Sequence, residues 1–277
     1  MTVKPGLDAA AFDPAVRPQD DLFRHVNGKW LDTTEIPEDK AIYGSFHVLA
    51  DDAEAAVRDI LEEAAANPQP GASQQIGDLY ASFLDEERAN ELGAAPLAAD
   101  LKLIEQVRQL DDVTKLLGEF ARKGIPGLWG SYVDNDPGNP NRYLVNLYQS
   151  GLGLPDEAYY REPKHESIRE AYIPHIAQMF EYAGFDADQA RDISFKIMAF
   201  ETELAGKHWN VVDTRDSEKT YNLTSYAHLK AMAPSFDFDL WLSGAQLRGD
   251  LLEESVVMMP SFFEKLGEVY HEGNLET

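Results

Sequence analysis

The chain has 277 residues, 44% hydrophobic and 26% charged, with 49 acidic against 24 basic residues and a formal net charge of −25. That length can bury a sizeable core in one large domain or two ordinary ones, and the composition is that of a soluble globular protein. The charge argues against nucleic acid and anionic membranes, which need clustered Lys and Arg, and the absence of cysteine excludes disulfides, thiolate metal sites and a cysteine nucleophile.

The opening MTVKPGLDAAAFDPAV has one Lys and no apolar block, so a Sec-type signal is not expected. That favours the cytoplasm, and no apolar run approaches the ~18 residues of a membrane span. Residues 1–45 carry Pro5, Pro14, Pro18 and Pro37 and read as an extended N-terminal arm. Within it, DDLFRHVNGKWL suits a short helix with Leu22, Val26 and Trp30 on one side. From Ser45 the period becomes helical: Phe46, Leu49, Ala53, Val57, Ile60 and Leu61 fall at three- and four-residue steps until NPQPG stops them. Ile76, Leu79, Tyr80, Phe83 and Leu84 continue the pattern. PLAADLKLIEQVRQL and DVTKLLGEFARKG read as two further amphipathic helices, the second ended by Gly124.

The period then changes. GLWGSYVD (127–134) and RYLVNLYQ (142–149) are rich in β-branched and aromatic residues and flank the turn-forming NDPGNPN, which predicts a β-hairpin with a long loop. It is the one convincing strand pair. Helices return in ESIREAYIPHIAQMFEYAG, with Ile168, Tyr172, His175, Ile176, Met179 and Phe180 on one stripe. The next helix opens with Asp186 and Gln189 at capping-box spacing. Shorter helices follow near 225–233, 238–247 and 260–270. The expected class is mainly α: a multi-helix domain over 46–277 with one β-hairpin insert, preceded by the arm.

Two His-Glu pairs, His165-Glu166 and His271-Glu272, resemble the start of the H-E-x-x-H zinc motif, which needs a second imidazole one helical turn on. Arg169 and Leu275 stand there instead, so each pair reads as solvated surface. His175 lies on an apolar stripe, as a core or boundary histidine does. His25, His47, His208 and His228 are scattered. The acidic pairs Asp51-Asp52 and Glu62-Glu63 sit on helix surfaces. There is no G-x-S-x-G elbow and no G-x-G-x-x-G or Walker phosphate loop, and GLGLP runs into Pro155 and reads as a turn. From the residues alone, no catalytic, cofactor-binding or metal-binding set can be named.

Three segments nevertheless carry a resemblance. DDLFRHVNGKWLDTTEIPED supplies Asp21, Phe23, Gly28, Trp30, Leu31, Ile36, Pro37 and Glu38; SGLGLPDEAYY supplies Leu152, Gly153, Leu154, Pro155, Tyr159 and Tyr160. The third segment supplies Glu201, Leu204, Ala205, Arg215, Asp216, Tyr221 and Asn222. In this order and spacing they resemble the N-terminal portion of the neprilysin-type zinc metallopeptidases, which include the endothelin-converting enzymes and bacterial oligopeptidases. Animal members have cysteines where this chain has Gln19 and Asn27, which fits a bacterial, disulfide-free member. Some animal members bind the end of the substrate through an Arg where Ile42 stands here, so that role is not carried over.

The resemblance implies a zinc endopeptidase acting on oligopeptides, with its H-E-x-x-H, third zinc ligand and N-A-Y-Y segment downstream of this chain. The arm would pack on that catalytic domain and residues 46–277 would form an incomplete helical cap, so zinc is expected in the full-length protein and none in this chain. On this reading the apolar face of the last helix, with Phe262, Phe263, Leu266, Val269 and Tyr270, is left exposed or hidden by self-association. The alternative is a stand-alone, non-catalytic helical binding module that closes its own core. A metal-free enzyme using carboxylates in a cleft has no constellation to support it.

Overall fold

The computed structural model describes residues 11–275; Pro5 with the start of the arm, and the last two residues, lie outside it. The chain divides into two compact units, Met1–Asn90 and Glu91–Thr277. The described residues form thirteen α-helices and one four-stranded sheet, so the protein is mainly α.

In the first unit, α1 (Leu22–Thr33) begins where the Asp21 carboxylate caps it, accepting from the Arg24 N–H at 2.8 Å. Residues 12–20 fold back along this helix. The Asp13 N–H donates to the His25 carbonyl at 2.7 Å, and a Cβ at Gly28 would strike the Asp13 side chain. Gly28 therefore leaves room for the Asp13 side chain. The connection to α2 (Ser45–Ala66) is clasped onto that helix by Asp51, which receives both the Lys40 ammonium and the Tyr43 hydroxyl. α2 and α3 (Ala72–Leu84) pack where Gly77 meets the backbone of Ala64. The apolar stripe read along α2 is real as a pattern but is not buried: Phe46 is 86% exposed, and on α3 Leu79 is 72% and Phe83 83% exposed.

A short helix, α4 (Glu86–Leu92), spans the division between the units; it carries no long apolar period. The two helices expected here are α5 (Ala98–Glu105) and α6 (Leu110–Arg122), the first ending sooner than expected and Leu110 opening the second. They separate where the Arg108 N–H turns to the Asp112 carboxylate, at 2.9 Å. α6 ends as expected. Gly124 has φ +77°, and the N–H groups of Gly124 and Ile125 return to the carbonyls of Ala121 and Phe120 in a Schellman motif.

The hairpin is β1 (Trp129–Asp136) and β2 (Asn139–Gln149), antiparallel from Trp129 opposite Gln149 to Asn135 opposite Tyr143. Its loop is shorter than expected. The Asp136 carboxylate accepts from Gly138 N–H, Arg142 Nε and the Tyr221 hydroxyl, at 2.7–2.8 Å, which zips the strands to the Pro137-Gly138 corner. Nor is the hairpin alone. The chain continues through α7 (Ala158–Arg161), α8 (Glu166–Tyr182), α9 (Ala187–Ala205) and α10 (Ser217–Thr220) to β3 (Leu223–Ser225). It then runs through α11 (Tyr226–Met232) and α12 (Phe238–Gly244) to β4 (Glu254–Val257) and α13 (Pro260–Val269). β4 lies parallel to β2 and antiparallel to β3, giving the order β1-β2-β4-β3. On α8 only Ile176 of the expected stripe is buried, while α9 starts on the expected cap, Asp186 accepting from Gln189 N–H at 2.9 Å.

The core lies between this sheet and the helices around it. The expectation of an uncovered last helix is overturned: Phe262, Phe263, Leu266 and Val269 of α13 have no exposed surface. They pack with Leu147 of β2, Val257 of β4, Leu204 of α9 and Phe238 of α12. Tyr270 closes the unit, its hydroxyl donating to the Leu110 carbonyl at 2.9 Å and lying 2.6 Å from Thr114 Oγ1 on α6. α6 and α12 meet almost backbone to backbone. A Cβ on Gly118 would strike the Trp241 carbonyl, and one on Gly244 the Lys115 carbonyl. The change Gly118→Ala should therefore lower the unfolding free energy by about 1–3 kcal/mol through overpacking, although alanine in a free helix is favoured by ~1 kcal/mol. Urea denaturation checks this, and an unchanged or raised midpoint would contradict the close crossing.

Candidate functional site

In the second unit, several residues of the segments that carry the resemblance are engaged in packing and hydrogen bonds, in two separate places. The segment after β2 crosses α9, where Gly153 has no room for a side chain beside the Tyr172 hydroxyl. Glu201 of α9 is buried. It accepts from the Tyr160 hydroxyl at 2.7 Å and the Tyr172 hydroxyl at 3.2 Å, and Tyr160 in turn accepts the Leu154 N–H at 2.9 Å. Leu154, Tyr160 and Ala205 form a small apolar cluster around this network. Burial, reinforced by the Glu201 carboxylate, holds the Tyr160 hydroxyl well above the ordinary tyrosine range. Burial, then the charge of Glu201, pushes Tyr172 up to about 12. Both hydroxyls are fixed donors at neutral pH, not acids poised for transfer.

Beside the network the GKHWN segment is sewn to the end of β2. Gln149 donates to the Trp209 carbonyl at 2.9 Å and accepts the Trp209 N–H at 2.7 Å; Trp209 Nε1 donates to Ser261 Oγ at 2.7 Å. His208 Nε2 lies 3.1 Å from the Ser150 carbonyl, which can only accept, so the neutral ring carries its proton on Nε2. The ring sits edge-on to Phe262, and burial lowers its pKa to about 4. His208 and Glu157 line two adjoining cavities of about 310 and 320 Å³. Glu157 is already taken by Arg161, at 2.6 and 3.1 Å. These cavities can admit a polar group, but they offer no nucleophile paired with a base.

The third segment is also structural. Asp216 caps α10, accepting from the N–H groups of Glu218 and Lys219, and Tyr221 holds the hairpin tip through Asp136. The hydrogen bond from Tyr221, then that from Arg142, holds the Asp136 carboxyl below the usual range. The Asn222 carbonyl accepts the Val257 N–H at 3.0 Å, joining β4 to the start of β3.

Neither His-Glu pair is a metal centre. His165 stacks on Tyr159 at 3.9 Å between ring centres, ahead of α8. His271 accepts the Gly273 N–H in its own turn, and Glu272 accepts the Leu110 N–H at the start of α6. Among the described residues no three of His, Asp and Glu converge on a point where a metal ion would sit, so the residues present do not fit a zinc ion. No helix of the described residues is long and apolar enough to cross a membrane.

Comparison with known proteins gives the context. The sequence profile of "Peptidase family M13", in its N-terminal part, matches residues 18–277. Mouse endothelin-converting enzyme 1 is 27% identical over 241 residues, covering 82% of this chain and 31% of that protein. Neprilysin-3 of Drosophila melanogaster is 26% identical over 281 residues, covering 94% and 35%. The chain thus spans about a third of the length of the curated relatives it matches. Among solved structures, the Mycobacterium tuberculosis zinc metalloprotease Zmp1 in complex with an inhibitor superposes with a TM-score of 0.84 at 40% identity, covering 98% of this chain and 42% of that one. PepO of Lactobacillus rhamnosis shares the fold at 20% identity and a TM-score of 0.71.

The half-buried His208 sets a pH dependence. Its folded pKa of about 4 lies below the ordinary histidine value of about 6.5. As pH falls between these values the unfolded chain gains a proton that the folded chain refuses, so stability present above pH ~6.5 is lost on acidification. Between about pH 7.5 and pH 5 this contributes a loss on the order of 2 kcal/mol. Urea titrations of the wild type and His208→Gln at both pH values should show the variant losing less by that amount; equal losses would remove His208 as the cause.

Proposed function

The chain belongs to peptidase family M13, matching its N-terminal portion, and from that premise we propose that it is the helical cap and arm of a zinc endopeptidase of oligopeptides. The catalytic zinc site is then in sequence downstream of Thr277. Zinc there would polarise the peptide carbonyl and activate water. The residues of this chain would frame access to the site: the arm, residues 1–45, packs on the catalytic domain, and residues 46–277 form the cap that admits short, unfolded peptides.

The observation that carries this reading is the open apolar face of the first unit. Phe46, Leu49, Val57 and Ile60 of α2 and Leu79 and Phe83 of α3 are all more than half exposed. Each such side chain buried against a partner stabilises the contact by about 1.5–3 kcal/mol, and an exposed apolar array of this size is a docking surface. That the segments shared with the family are engaged in fastening backbone supports a framing role rather than a chemical one. A second reading has its own support: the apolar face of α13 is fully buried, as a stand-alone, non-catalytic binding module requires.

Metal analysis and cleavage of an unstructured peptide separate the two. The 277-residue chain alone should hold no stoichiometric zinc and cleave nothing. With the downstream portion of the same gene supplied separately, a complex should form that cleaves the peptide and loses activity to a chelator. Tightly bound zinc, or chelator-sensitive cleavage, in this chain alone would overturn the placement of the site. Failure of the two portions to associate would favour the binding module.

A further inference from the structure

β1 is an edge strand. It is hydrogen-bonded to β2 on one side, and among the described residues the sheet order places no strand on the other. In an antiparallel pair, alternate residues turn their N–H and C=O outward, so such an edge is a template for another extended chain. Residues 131–135 are exposed, Val133 at 63%. Proteins blunt such edges with Lys, Pro or bulges. Here Pro137 and the register shift between Asn135 and Asp136 protect only the far end, and residues 130–134, GSYVD, contain no Lys, Arg or Pro. At the near end the cross-strand Tyr148 ring lies where a side chain on Gly130 would be.

The same end opens into a cavity of about 220 Å³. Trp129, Gly130 and Ser131 of the edge form one wall, and Leu117, Phe236 and Trp241 stand behind them. In its lining the Trp129 and Trp241 rings lie 4.5 Å apart, and both are almost wholly buried. The cavity is smaller than the ~300–1,000 Å³ of small-molecule sites; its size suits one large side chain. An open edge for main-chain bonds beside a pocket for a side chain is the pairing that strand-addition sites use.

We propose that β1 docks an extended oligopeptide as an added strand, with one aromatic or aliphatic side chain of that peptide seated against Trp129 and Trp241. This rests on the reading of the protein as acting on oligopeptides, and it adds a place on this chain where they are held. Charge selects the occupant. Asp134 lies on the edge with no basic residue among residues 130–134, in a chain of net charge −25, which disfavours pairing with a second copy and favours a neutral or basic peptide.

The test uses the 277-residue chain and a fluorescent, unstructured peptide, Lys-Val-Phe-Thr-Val-Lys, with a second version N-methylated at alternate residues. Fluorescence anisotropy should show saturable binding, weakened at least about tenfold by N-methylation and by Ser131→Trp, which fills the cavity mouth from an exposed position. Val133→Lys should weaken it similarly. The proposal is overturned by no saturable binding, by binding indifferent to both N-methylation and Ser131→Trp, or by dimerisation through this edge that Val133→Lys abolishes. The assay needs no zinc and no cleavage. If the edge fails while the reassembled pair still cleaves peptides, the docking site alone is wrong. If the peptide binds while no peptidase assembles, the docking stands and the peptidase reading falls.

Discussion

Four side chains of α13, Phe262, Phe263, Leu266 and Val269, have no contact with solvent, and much of the second unit is arranged to make that possible. They lie against β2 and β4, strands separated by more than a hundred residues of sequence yet paired side by side. Burying them requires β4 to reach β2, which requires the intervening helices to cross over the sheet. Burial of this kind is the main favourable term in folding, and here it acts on the most distant pieces of the unit at once. Tyr270 and Glu272 extend the closure to α6, so the last helix is fastened to the beginning of the same unit.

The polar contacts follow from that arrangement. Once β2 is fixed, the chain leaving it crosses α9, and Glu201 can collect the hydroxyls of Tyr160 and Tyr172. A buried carboxylate left unpaired is costly, and two tyrosine donors with a fitted glycine turn resolve it. Asp136 does the same at the hairpin tip with Arg142 and Tyr221. The residues of these segments that carry the resemblance, Glu201, Tyr160 and Tyr221 among them, are therefore fold-specifying contacts.

Much of the architecture was legible from period and punctuation. The long helices, the cap at Asp186, the stop at Gly124 and the hairpin pairing each have a local signal that the structure honours. β3 and β4 have three and four residues, too short for an alternating pattern, and a parallel pairing leaves no turn signal. Amphipathicity identified helices but not what covers them: the stripe on α13 is sealed, whereas those on α2 and α3 are open. His165 and His271 serve a ring stack and a turn, contacts that their spacing in the sequence does not signal. Glu272 had no signal at all, because the helix start it caps lies 162 residues away.

The central claim is that α13 and β4 are the keystone of the second unit and not a loose end. Native-state amide exchange on the 277-residue chain tests it most directly. The amides of Val257 and Met258, held by the Asn222 and Leu147 carbonyls, should exchange only through global unfolding of the unit, together with those of β2 and of α13 from Leu266 to Tyr270. Exchange of β4 and α13 by local opening, at a free energy well below that of β2, would contradict it.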